Sequence, residues 1–530
     1  MPQLSTTLLR LLAILLVALP PSRSAAGHHP ANNGAPRGDG DGKPLSPPCA
    51  PADRAALLGF KAGVAADTTG ILATWTGPDC CGAWEGVTCD VATGRVIALQ
   101  LEAPPPKHRH YMQGTLSSSL AGLEFMETLV IRDMGRISGA IPAALSRLTR
   151  LRELYLEGNM LAGAIPGSLG KLSSLQYLSL AGNRLDDHLP PELGAVSGLE
   201  QINVAKNRLT GVVPPSYKNL SMLAYLDLSN NLLSGAVPGF IGQFKSLALL
   251  DLSNNSFSGE IPASLCTLHS LTDLSLSHNK LGGQIPPQMG GLRSLNSLAI
   301  DGNMFVGSIP ASLLGLQKLW YMNLSGNGLS GPLPTGVSNA LPSLVSMDLS
   351  HNHLTGEIDQ FFRSLSAAGH DVNLSSNKMS SQQIVLPQKL EHLDLSKNQI
   401  TGVLPEFTRG AGLKWLDISS NAIGGQIPSS ISKLSSLERL DMSRNRVRGA
   451  IPASMAEMVS LQWLDLSNNV LIGRIPDNFT RLTSVRHASF RGNKLCGRIP
   501  QAKPFNLFRA AAYAHNLCLC GKPLPPCRKI

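Results

Sequence analysis

Hydrophobic and polar positions alternate along the chain in a unit that repeats. Between Leu226 and Pro262 the unit occurs twice, as Leu-x-Leu-x-x-Asn-x-Leu/Phe-x-Gly-x-Val/Ile-Pro. The two asparagines, Asn231 and Asn255, lie 24 positions apart. Self-similarity at a fixed period of this length is typical of proteins built from stacked structural repeats. The pattern therefore predicts one supersecondary unit for each repeat.

Each position of the unit predicts a local structure. The Leu-x-Leu alternation suits a short strand with one buried face. The Asn amide can both donate and accept, so it can satisfy backbone groups at the following turn, and stacking places Asn above Asn. The Gly permits close backbone approach or unusual dihedral angles, and the Pro ends strand pairing. One unit cannot bury its own leucines, whereas a stack buries a continuous core.

The ladder asparagine recurs through most of the chain. Two degenerate units precede it at Leu99–Leu101 and Leu129–Ile131, which gives about seventeen coils. This pattern resembles the plant extracellular leucine-rich repeat proteins. The resemblance implies an α/β solenoid, a right-handed leucine-rich repeat superhelix (horseshoe) with a parallel concave sheet and disulfide-stapled end caps. The ladder positions are Asn159, Asn183, Asn207, Asn231, Asn255, Asn279, Asn303, Asn327, Asn352, Asn377, Asn398, Asn421, Asn445, Asn469 and Asn493.

The start of the chain predicts a secreted protein. Residues 1–26 have the features of a signal peptide, with Arg10 before an apolar stretch at Leu11–Leu19 and small residues around Ala25. A membrane anchor is the alternative, but this run is shorter than the roughly 20 residues that a span needs. No later segment is apolar for that length. We therefore expect a soluble, secreted, extracellular protein without a membrane span, and the resemblance implies a place in the cell wall.

The remaining segments divide into four parts. Residues 27–48 are rich in Gly, Pro, Asn and His without periodicity, which predicts a disordered linker. Its Arg37-Gly38-Asp39 is an adhesion tripeptide, although chance in a Gly/Asp-rich segment is the simpler interpretation, and His28-His29 is too little for a metal site. An N-terminal cysteine cap at 49–90, repeats at 91–500 and a C-terminal cysteine cap at 501–530 follow.

Eight of the nine cysteines flank the repeats. Even sets at both ends of a secreted solenoid indicate disulfides, and metal binding is disfavoured because zinc-type Cys-x-x-Cys pairs are absent. The Cys-Cys-x-x-Trp-x-Gly-Val-x-Cys run at Cys80–Cys89 is similar to that of plant polygalacturonase-inhibiting proteins. The resemblance implies the pairs Cys49–Cys80, Cys81–Cys89, Cys496–Cys518 and Cys520–Cys527.

Two further predictions concern the N-terminal cap and the ninth cysteine. Asp53 to about Gly63 predicts a capping helix with Leu57, Leu58 and Phe60 facing inward. Cys266 lies in Ala263-Ser-Leu-Cys-Thr-Leu-His on the convex side, where we expect a buried or half-buried free thiol.

Two irregularities interrupt the repeats. Residues Ala103–Gln113 form a proline-stiffened insertion with a basic tip, for which polyanion contact and a solvated loop both remain open. The second irregularity lies between Asn352 and Asn398, where the ladder spacing, counted from Asn327, becomes 25, 25 and 21, and Met379–Pro387 lacks the Gly-x-Ile-Pro ending. Loops that break a regular scaffold often carry binding, but local wear of the array explains the same spacing.

The sequence contains no recognisable active site or cofactor motif. Gly326-Asn-Gly-Leu-Ser-Gly331 matches a dinucleotide pattern, but Asn327 is a ladder residue there, so we interpret the match as false. The aspartate of Leu-Asp-Leu-Ser recurs in many repeats, whereas a catalytic constellation occurs once. We therefore predict a non-enzymatic protein without cofactor or metal.

The candidate binding site is the solvent face of the concave sheet. The residue just before each strand Leu forms a column across coils about 4.8 Å apart. The part from Trp415 to Arg491 is both aromatic and basic, which suits protein hot spots or stacking on sugars near acidic groups. A Trp at this position is also common in this class as scaffold. The candidate binding residues are Tyr155, Tyr177, Tyr225, Trp320, Tyr321, Trp415, Arg439, Arg444, Trp463 and His487.

Five Asn-x-Ser/Thr sequons predict glycosylation. Register places Asn254, Asn323 and Asn373 on or beside the concave strands, and Asn219 and Asn478 on the convex side. We expect glycans to crowd the middle of the concave face and to leave its ends for partners.

These features lead to three hypotheses of function. The resemblance implies a secreted plant binding protein for a protein or peptide, such as a polygalacturonase in defence. A soluble co-receptor for a receptor kinase ectodomain is the second. The formal charge of +10 favours the third, a pectin-associated wall protein. Nucleic acid is not expected as a partner because the basic residues are scattered and the signal peptide exports the chain.

Overall fold

A computed structural model describes residues 47–105, 109–335, 340–365, 370–382, 386, 389–408 and 412–527. The chain divides into two units, Met1–Ser46 and Pro47–Ile530, and every described residue belongs to the second. The predicted signal peptide, nearly all of the predicted linker, the Arg37-Gly38-Asp39 triplet and His28-His29 therefore lie outside the described residues. No described helix combines the length and the apolar character that crossing a bilayer requires.

One long parallel sheet runs through the repeats, and we call it the long sheet. Strand order follows chain order, and equivalent positions pair in register, as Ile202, Leu226 and Leu250 do. The antiparallel strand Val87–Cys89 pairs with the first parallel strand, and within the described residues the last parallel strand pairs only with its predecessor, so the sheet is open. The parallel strands are Val96–Glu102, Thr128–Arg132, Glu153–Tyr155, Tyr177–Ser179, Gln201–Asn203, Tyr225–Asp227, Leu249–Asp251, Asp273–Ser275, Ser297–Ala299, Tyr321–Asn323, Ser346–Asp348, Asp371–Asn373, His392–Asp394, Trp415–Asp417, Arg439–Asp441, Trp463–Asp465 and His487–Ser489.

Strands from the second halves of successive coils form three short sheets. Val64–Asp67 pairs antiparallel with Met112–Thr115, and the other pairings are parallel. The first sheet is completed by Gly135–Gly139, Met160–Gly163 and Arg184–Leu185. The second comprises Thr210–Gly211, Leu232–Ala236, Ser256–Gly259, Lys280–Gln284, Met304–Gly307, Gly328–Pro332 and His353–Thr355, and the third comprises Arg448–Ala450, Val470–Gly473, Lys494–Arg498 and Cys518–Cys520.

The Gly-x-Ile-Pro ending of the repeat turns the chain into a 3-10 segment. Gly235 has φ +82°, and a Cβ built there would lie 2.8 Å from Cγ1 of Val212 in the preceding coil. Pro238 then precedes the segment Gly239–Gln243, whose Ile241 is buried. The equivalent segments are Ser118–Gly122, Ala143–Arg147, Gly167–Lys171, Pro191–Ala195, Pro215–Asn219, Ala263–Thr267, Pro287–Gly291, Ala311–Gly315, Ser429–Lys433, Ala453–Glu457 and Asp477–Arg481.

The ladder asparagines bond one coil to the next. Asn231 Nδ2 donates to the carbonyls of Val204, Leu228 and Ser229 at 3.0–3.2 Å. Its Oδ1 accepts from the backbone N–H of Leu209 at 3.0 Å. All four partners are backbone groups, and the amide is buried, so the side chain replaces the water that a turn would otherwise need. The predicted ladder is confirmed from Asn159 to Asn493.

The cysteine caps close both ends of the stack. The four predicted disulfides, Cys49–Cys80, Cys81–Cys89, Cys496–Cys518 and Cys520–Cys527, are confirmed. The sulfurs of Cys49, Cys80 and Cys81 lie within 4.8 Å of one another, but disulfide bonds occupy all three, so they offer no thiolate to a metal. Cys266 is the free cysteine, and burial raises the pKa of its thiol to about 11.

The N-terminal cap is anchored by a buried ion pair. Its helix spans Pro51–Ala62, and its Asp53 carboxylate accepts two hydrogen bonds from Arg95 and one from Val96 N–H at 2.8–2.9 Å. Leu57 and Phe60 are buried as predicted, whereas Leu58 is only half-buried. The cap also contains the 3-10 segment Ile71–Thr74. The C-terminal cap contains two more, Phe505–Leu507 and Ala510–Tyr513.

The two irregular stretches leave the long sheet intact. A short helix, Asp359–Ser364, replaces one 3-10 segment, and among described residues only isolated bridges link the short sheets between Thr355 and Arg448. Asp371 nevertheless pairs with His392 in the long sheet. In the insertion, the guanidinium of Arg136 lies 3.8 Å from the Tyr111 ring centroid, while residues 106–108 lie outside the described residues.

Candidate binding surface

The long sheet aligns the predicted column of side chains on its solvent face. Because equivalent positions pair in register, His392, Trp415, Arg439, Trp463 and His487 lie on five successive strands. Neighbouring strands lie about 4.8 Å apart, which is close enough for flat side chains to stack. Each of the five is half-buried. We call this set the aromatic–cation ladder.

The Arg439 guanidinium lies between the two indole rings of the ladder. Its central carbon is 4.4 Å from the Trp415 ring centroid and 4.5 Å from that of Trp463. Cation–π contacts of this kind contribute about 0.5–2 kcal/mol each. On the far side, His487 stacks on Trp463 with centroids 3.7 Å apart. His392 meets Trp415 edge-on at 6.4 Å.

This stacking determines which parts of the rings a partner can reach. Both faces of Trp463 are covered, one by Arg439 and one by His487, and Arg439 covers one face of Trp415. The Nε1 of Trp463 and the Nε of Arg439 are buried and have no acceptor among the described residues. Trp463 therefore offers its ring edge to a partner rather than an open face.

A row of aspartates runs beside the ladder. Asp394, Asp417, Asp441 and Asp465 follow the strand leucines, and each accepts a hydrogen bond at 2.8–3.0 Å from the N–H two residues later. Burial, with the neighbouring carboxylates of Asp441 and Asp394, raises the pKa of Asp417 to about 6. These bonds support the prediction that the repeated aspartates are scaffold, because they fix the turn after each strand.

The two ladder histidines have different environments. His392 Nδ1 hydrogen-bonds the Asp371 carboxylate, and this bond raises the pKa of His392 above its usual range. Burial lowers the pKa of His487. Beside His392, the Glu391 carboxylate contacts both His370 at 3.0 Å and Lys414 at 2.6 Å.

The other predicted binding residues do not join the ladder. Tyr155 lies 5.6 Å from the Arg132 guanidinium, and the Tyr177 hydroxyl donates to Glu200 at 2.9 Å. Tyr225 is half-buried on its own strand. Trp320 and Tyr321 have ring centroids 5.9 Å apart, but Tyr321 is only 7% exposed. Arg444 is exposed at a turn with φ +54°.

The five sequons lie on two different sides of the coils. Asn323 and Asn373 are in long-sheet strands, and Asn254 is exposed just after one. Asn323 Oδ1 accepts from Ser325 at 2.7–3.1 Å, and Asn373 Nδ2 donates to Asp348 at 3.2 Å. Asn219 ends one 3-10 segment and Asn478 lies within another, and both are exposed.

One cluster in the turns that follow two long-sheet strands has the residue types of a catalytic triad but not the geometry. Asp301 contacts both Ser277 and His278, so the carboxylate lies between the other two side chains. A nucleophilic serine needs the imidazole next to it and needs access to substrate. Ser277 is 1% exposed. This cluster is therefore not arranged for nucleophilic catalysis.

Comparison with known families matches the repeats directly. The model of the leucine rich repeat N-terminal domain matches residues 50–90, and that of the leucine rich repeat matches residues 126–185, 197–257, 388–447 and 411–471. A second leucine rich repeat model matches residues 270–292, 318–340 and 343–365. The chain belongs to the leucine-rich repeat proteins. Its cap and its repeats are thus both of this family.

Curated leucine-rich repeat relatives match over short stretches. The chain is 35% identical to the DNA damage-repair/toleration protein DRT100 of Arabidopsis thaliana over 21% of this chain and 32% of that protein. It is 34% identical to a polygalacturonase inhibitor of Vitis vinifera, over 21% of this chain and 31% of that protein. It is 36% identical to the receptor-like protein EIX2 of Solanum lycopersicum, over 21% of this chain and 11% of that protein. The chain thus spans a third or less of the length of these relatives.

Solved leucine-rich repeat structures match over most of the chain. The ectodomain of the Arabidopsis thaliana receptor kinase GASSHO1/SCHENGEN3, in complex with CASPARIAN STRIP INTEGRITY FACTOR 2, is 28% identical with a TM-score of 0.61, covering 88% of this chain and 64% of that one. The crystal structure of PEPR1-AtPEP1 is 25% identical with a TM-score of 0.57, covering 85% of this chain and 80% of that one. LIC12759 of Leptospira interrogans is 28% identical with a TM-score of 0.52, covering 72% of this chain and 88% of that one. The fold therefore extends beyond plant proteins and does not by itself specify a function.

Proposed function

We propose that this protein is a secreted, non-enzymatic plant binding protein that recognises a protein or peptide through the aromatic–cation ladder. The observation that carries the proposal is the stack of five side chains from His392 to His487 on successive strands. Their mutual packing restricts their rotamers before binding, so the ladder side chains lose less entropy when a partner docks. Trp and Arg are also the residues most enriched in binding hot spots.

The closed ring faces favour a protein partner over a sugar at this surface. A sugar ring stacks on an open aromatic face, and both faces of Trp463 are covered. The aspartates beside the ladder also repel an acidic polysaccharide. A protein or peptide can instead pack against the ring edges and the half-buried side chains of the ladder, as at binding hot spots.

Relatives named polygalacturonase inhibitor make inhibition of a pectin-degrading enzyme the first activity to test. The secreted, glycosylated protein is titrated against a panel of fungal and insect polygalacturonases. We expect saturable inhibition, and we expect Trp415→Ala or Arg439→Ala to weaken it by about tenfold or more, since hot-spot truncations cost roughly 2 kcal/mol. Arg481→Ala is the matched control because Arg481 is exposed in a 3-10 segment, away from the ladder.

The second candidate function is a soluble co-receptor. It is favoured by structural neighbours such as the GASSHO1/SCHENGEN3 ectodomain, which is solved with CASPARIAN STRIP INTEGRITY FACTOR 2. Absence of inhibition across the panel, together with peptide-dependent cross-linking to a kinase ectodomain, would support this function. Inhibition that survives both ladder substitutions unchanged would contradict the proposed site.

A further inference from the structure

The short sheet nearest the C-terminal cap has a solvent face rich in cations. It consists of Arg448–Ala450, Val470–Gly473, Lys494–Arg498 and Cys518–Cys520. These strands contain no acidic and no aromatic residue. Six exposed cationic side chains lie in the strands or directly beside them, and we call them the basic patch: Arg446, Arg448, Arg474, Lys494, Arg498 and Lys522.

Three members of the basic patch occupy the same repeat position in successive coils. These are Arg474, Arg498 and Lys522. Each directly follows a glycine, at Gly473, Gly497 and Gly521. A Cβ built on Gly497 would lie 3.0 Å from Cγ of Arg474, and one on Gly521 would lie 3.2 Å from Cγ of Arg498. Each arginine stem therefore lies over the glycine of the next coil. The three charges form a column with one cation per coil. Gly473 pairs with Leu495 and Arg498 pairs with Cys520, so each cation lies two residues further along its strand than the in-register partner of the previous one.

The charges of the basic patch are not balanced by neighbours. None of the six side chains makes a salt bridge within the described part of the chain. Unpaired like charges in a column repel one another and attract polyanions. A polyanion that lies along the column would relieve this repulsion.

The basic patch is a separate surface from the proposed protein-binding surface. Beside the ladder lie four aspartates, Asp394, Asp417, Asp441 and Asp465, whereas the basic patch lies on a different sheet. The two surfaces thus differ in both charge and aromatic content. Their ligands should differ accordingly, and a ligand of the basic patch would bind independently of the proposed function of the ladder.

We propose that the basic patch binds an acidic polysaccharide of the uronic acid type. A linear polymer with a carboxylate on each sugar can place successive charges along a column that has one cation per coil. Arginine forms bidentate hydrogen bonds with carboxylates, and the exposed heads of Arg474 and Arg498 are free to do so. The absence of aromatic anchors from these strands fits an electrostatic contact rather than a protein hot spot.

The test measures binding of the full-length secreted protein to immobilised polygalacturonate in a gradient of NaCl. We expect retention at low salt and elution as salt screens the contact. The triple variant R474Q/R498Q/K522Q should lose affinity by roughly tenfold or more, since a cation near an anionic surface contributes appreciably to attraction. The variant R474K/R498K keeps the charges but not the bidentate geometry, so it should bind more weakly than the original protein and more tightly than the triple variant.

The matched control removes the same charge elsewhere. The variant K171Q/K218Q/K245Q changes three exposed lysines in or beside 3-10 segments of earlier coils, and we expect little change in binding. Fully methyl-esterified pectin, which lacks the carboxylates, should not retain the protein. Thermal melting of each variant checks that it folds.

Several outcomes would overturn the proposal. Equal losses in the two triple variants would assign binding to diffuse net charge instead of the basic patch. Retention on the esterified polymer would exclude an electrostatic contact. Binding to phosphatidylserine vesicles but not to polygalacturonate would assign the patch to a membrane surface. Loss of enzyme inhibition in the ladder variants is a separate result that leaves this proposal unaffected.

Discussion

At the scale of single residues, the protonation of Asp417 makes the stability of the folded protein depend on pH. Asp417 is 8% exposed and lies between the carboxylates of Asp394 and Asp441 on adjacent strands. Burial and these neighbours raise its pKa from 3.8 to about 6. The folded state therefore takes up a proton more readily than the unfolded chain.

We predict that Asp417→Asn stabilises the protein near pH 7 and has little effect near pH 4. With a raised acid pKa, the stability contributed by the protonated form is present below about pH 4 and is lost as pH rises through about 6. The loss amounts to about 2–3 kcal/mol, at 1.36 kcal/mol for each pKa unit. An Asn keeps an oxygen that can accept from Ser419 N–H, as Asp417 Oδ1 does at 3.0 Å.

Urea midpoints measured from pH 4 to pH 8 check this prediction. Asp477→Asn is the control because Asp477 lies in a 3-10 segment outside the row. A variant whose midpoint follows the same pH profile as the original protein would show that Asp417 does not titrate in this window.

Residue roles differed in how well the sequence predicted them. The ladder amides were predictable because each sits at a fixed distance from a strand leucine, and their backbone bonds follow from that position. Asn516 makes the same bonds, to Phe490 O at 3.0 Å and Leu495 N at 3.1 Å, yet it was missed. No Leu-x-Leu precedes it. The column was predicted, but the insertion of Arg439 between two indoles was not, since stacking depends on rotamers.

At the scale of elements, two sequons share one column of the long sheet. Asn323, Asp348 and Asn373 pair in register on three successive strands, so the two asparagines lie about 10 Å apart. Asn373 pairs in turn with Asp394 in the first strand of the ladder. A glycan at Asn373 would therefore border the ladder and confine a partner to the strands that follow.

We predict that Asn254, Asn323 and Asn373 carry glycans in the secreted protein. Glycans are bulky and hydrated, so they should shield Trp320, which precedes the strand Tyr321–Asn323. Peptide mapping after enzymatic deglycosylation in oxygen-18 water reports occupancy at each site, because each glycosylated Asn becomes a labelled Asp. Hydroxyl-radical labelling should then show that Trp320 gains reactivity after deglycosylation, whereas Trp463 does not.

Asn219 and Asn478 provide the comparison within the same molecule. Both are exposed in 3-10 segments, and removing glycans there should not alter labelling of Trp320. Unmodified Asn323 and Asn373 would refute the shielding of this face. If the sequons are occupied but Trp320 labelling does not change after deglycosylation, the predicted shielding of Trp320 is refuted.

Regular elements were easier to predict than interrupted ones. The strands followed from Leu-x-Leu and the turns from Gly-x-Ile-Pro, because every coil repeats the same backbone geometry. The changed spacing after Asn327 predicted a disturbance but not its form, which is the helix Asp359–Ser364 and a gap between short sheets. The sequence offered no template for that helix, because only its neighbours in the stack determine how it packs. A binding role for this stretch remains a prediction.

At the scale of the whole described unit, stability passes from coil to coil. Each repeat packs only on its neighbours, so an end coil has half the support of a middle one. The C-terminal cap supplies the missing neighbour through Phe490, whose ring stacks on Tyr513 with centroids 5.7 Å apart. Cys496–Cys518 then links two adjacent strands of the last short sheet. The fold was predictable from the repeat alone, whereas the partner depends on side-chain geometry that no repeat encodes.

We predict that the double variant C496S/C518S loosens the end of the stack without unfolding its middle. Loss of a native disulfide typically costs about 2–5 kcal/mol, and here the closed loop joins only the last coils. Hydrogen exchange should accelerate in peptides that contain His487–Ser489, while peptides across Tyr225–Asp227 stay protected.

Because His487 stacks on Trp463, the same variant should weaken binding at the ladder. Cys266→Ala is the control, since this free thiol lies many coils away. Uniform loss of protection along the chain would instead show that the coils unfold as one cooperative unit, and the cap would then stabilise the whole array rather than its end.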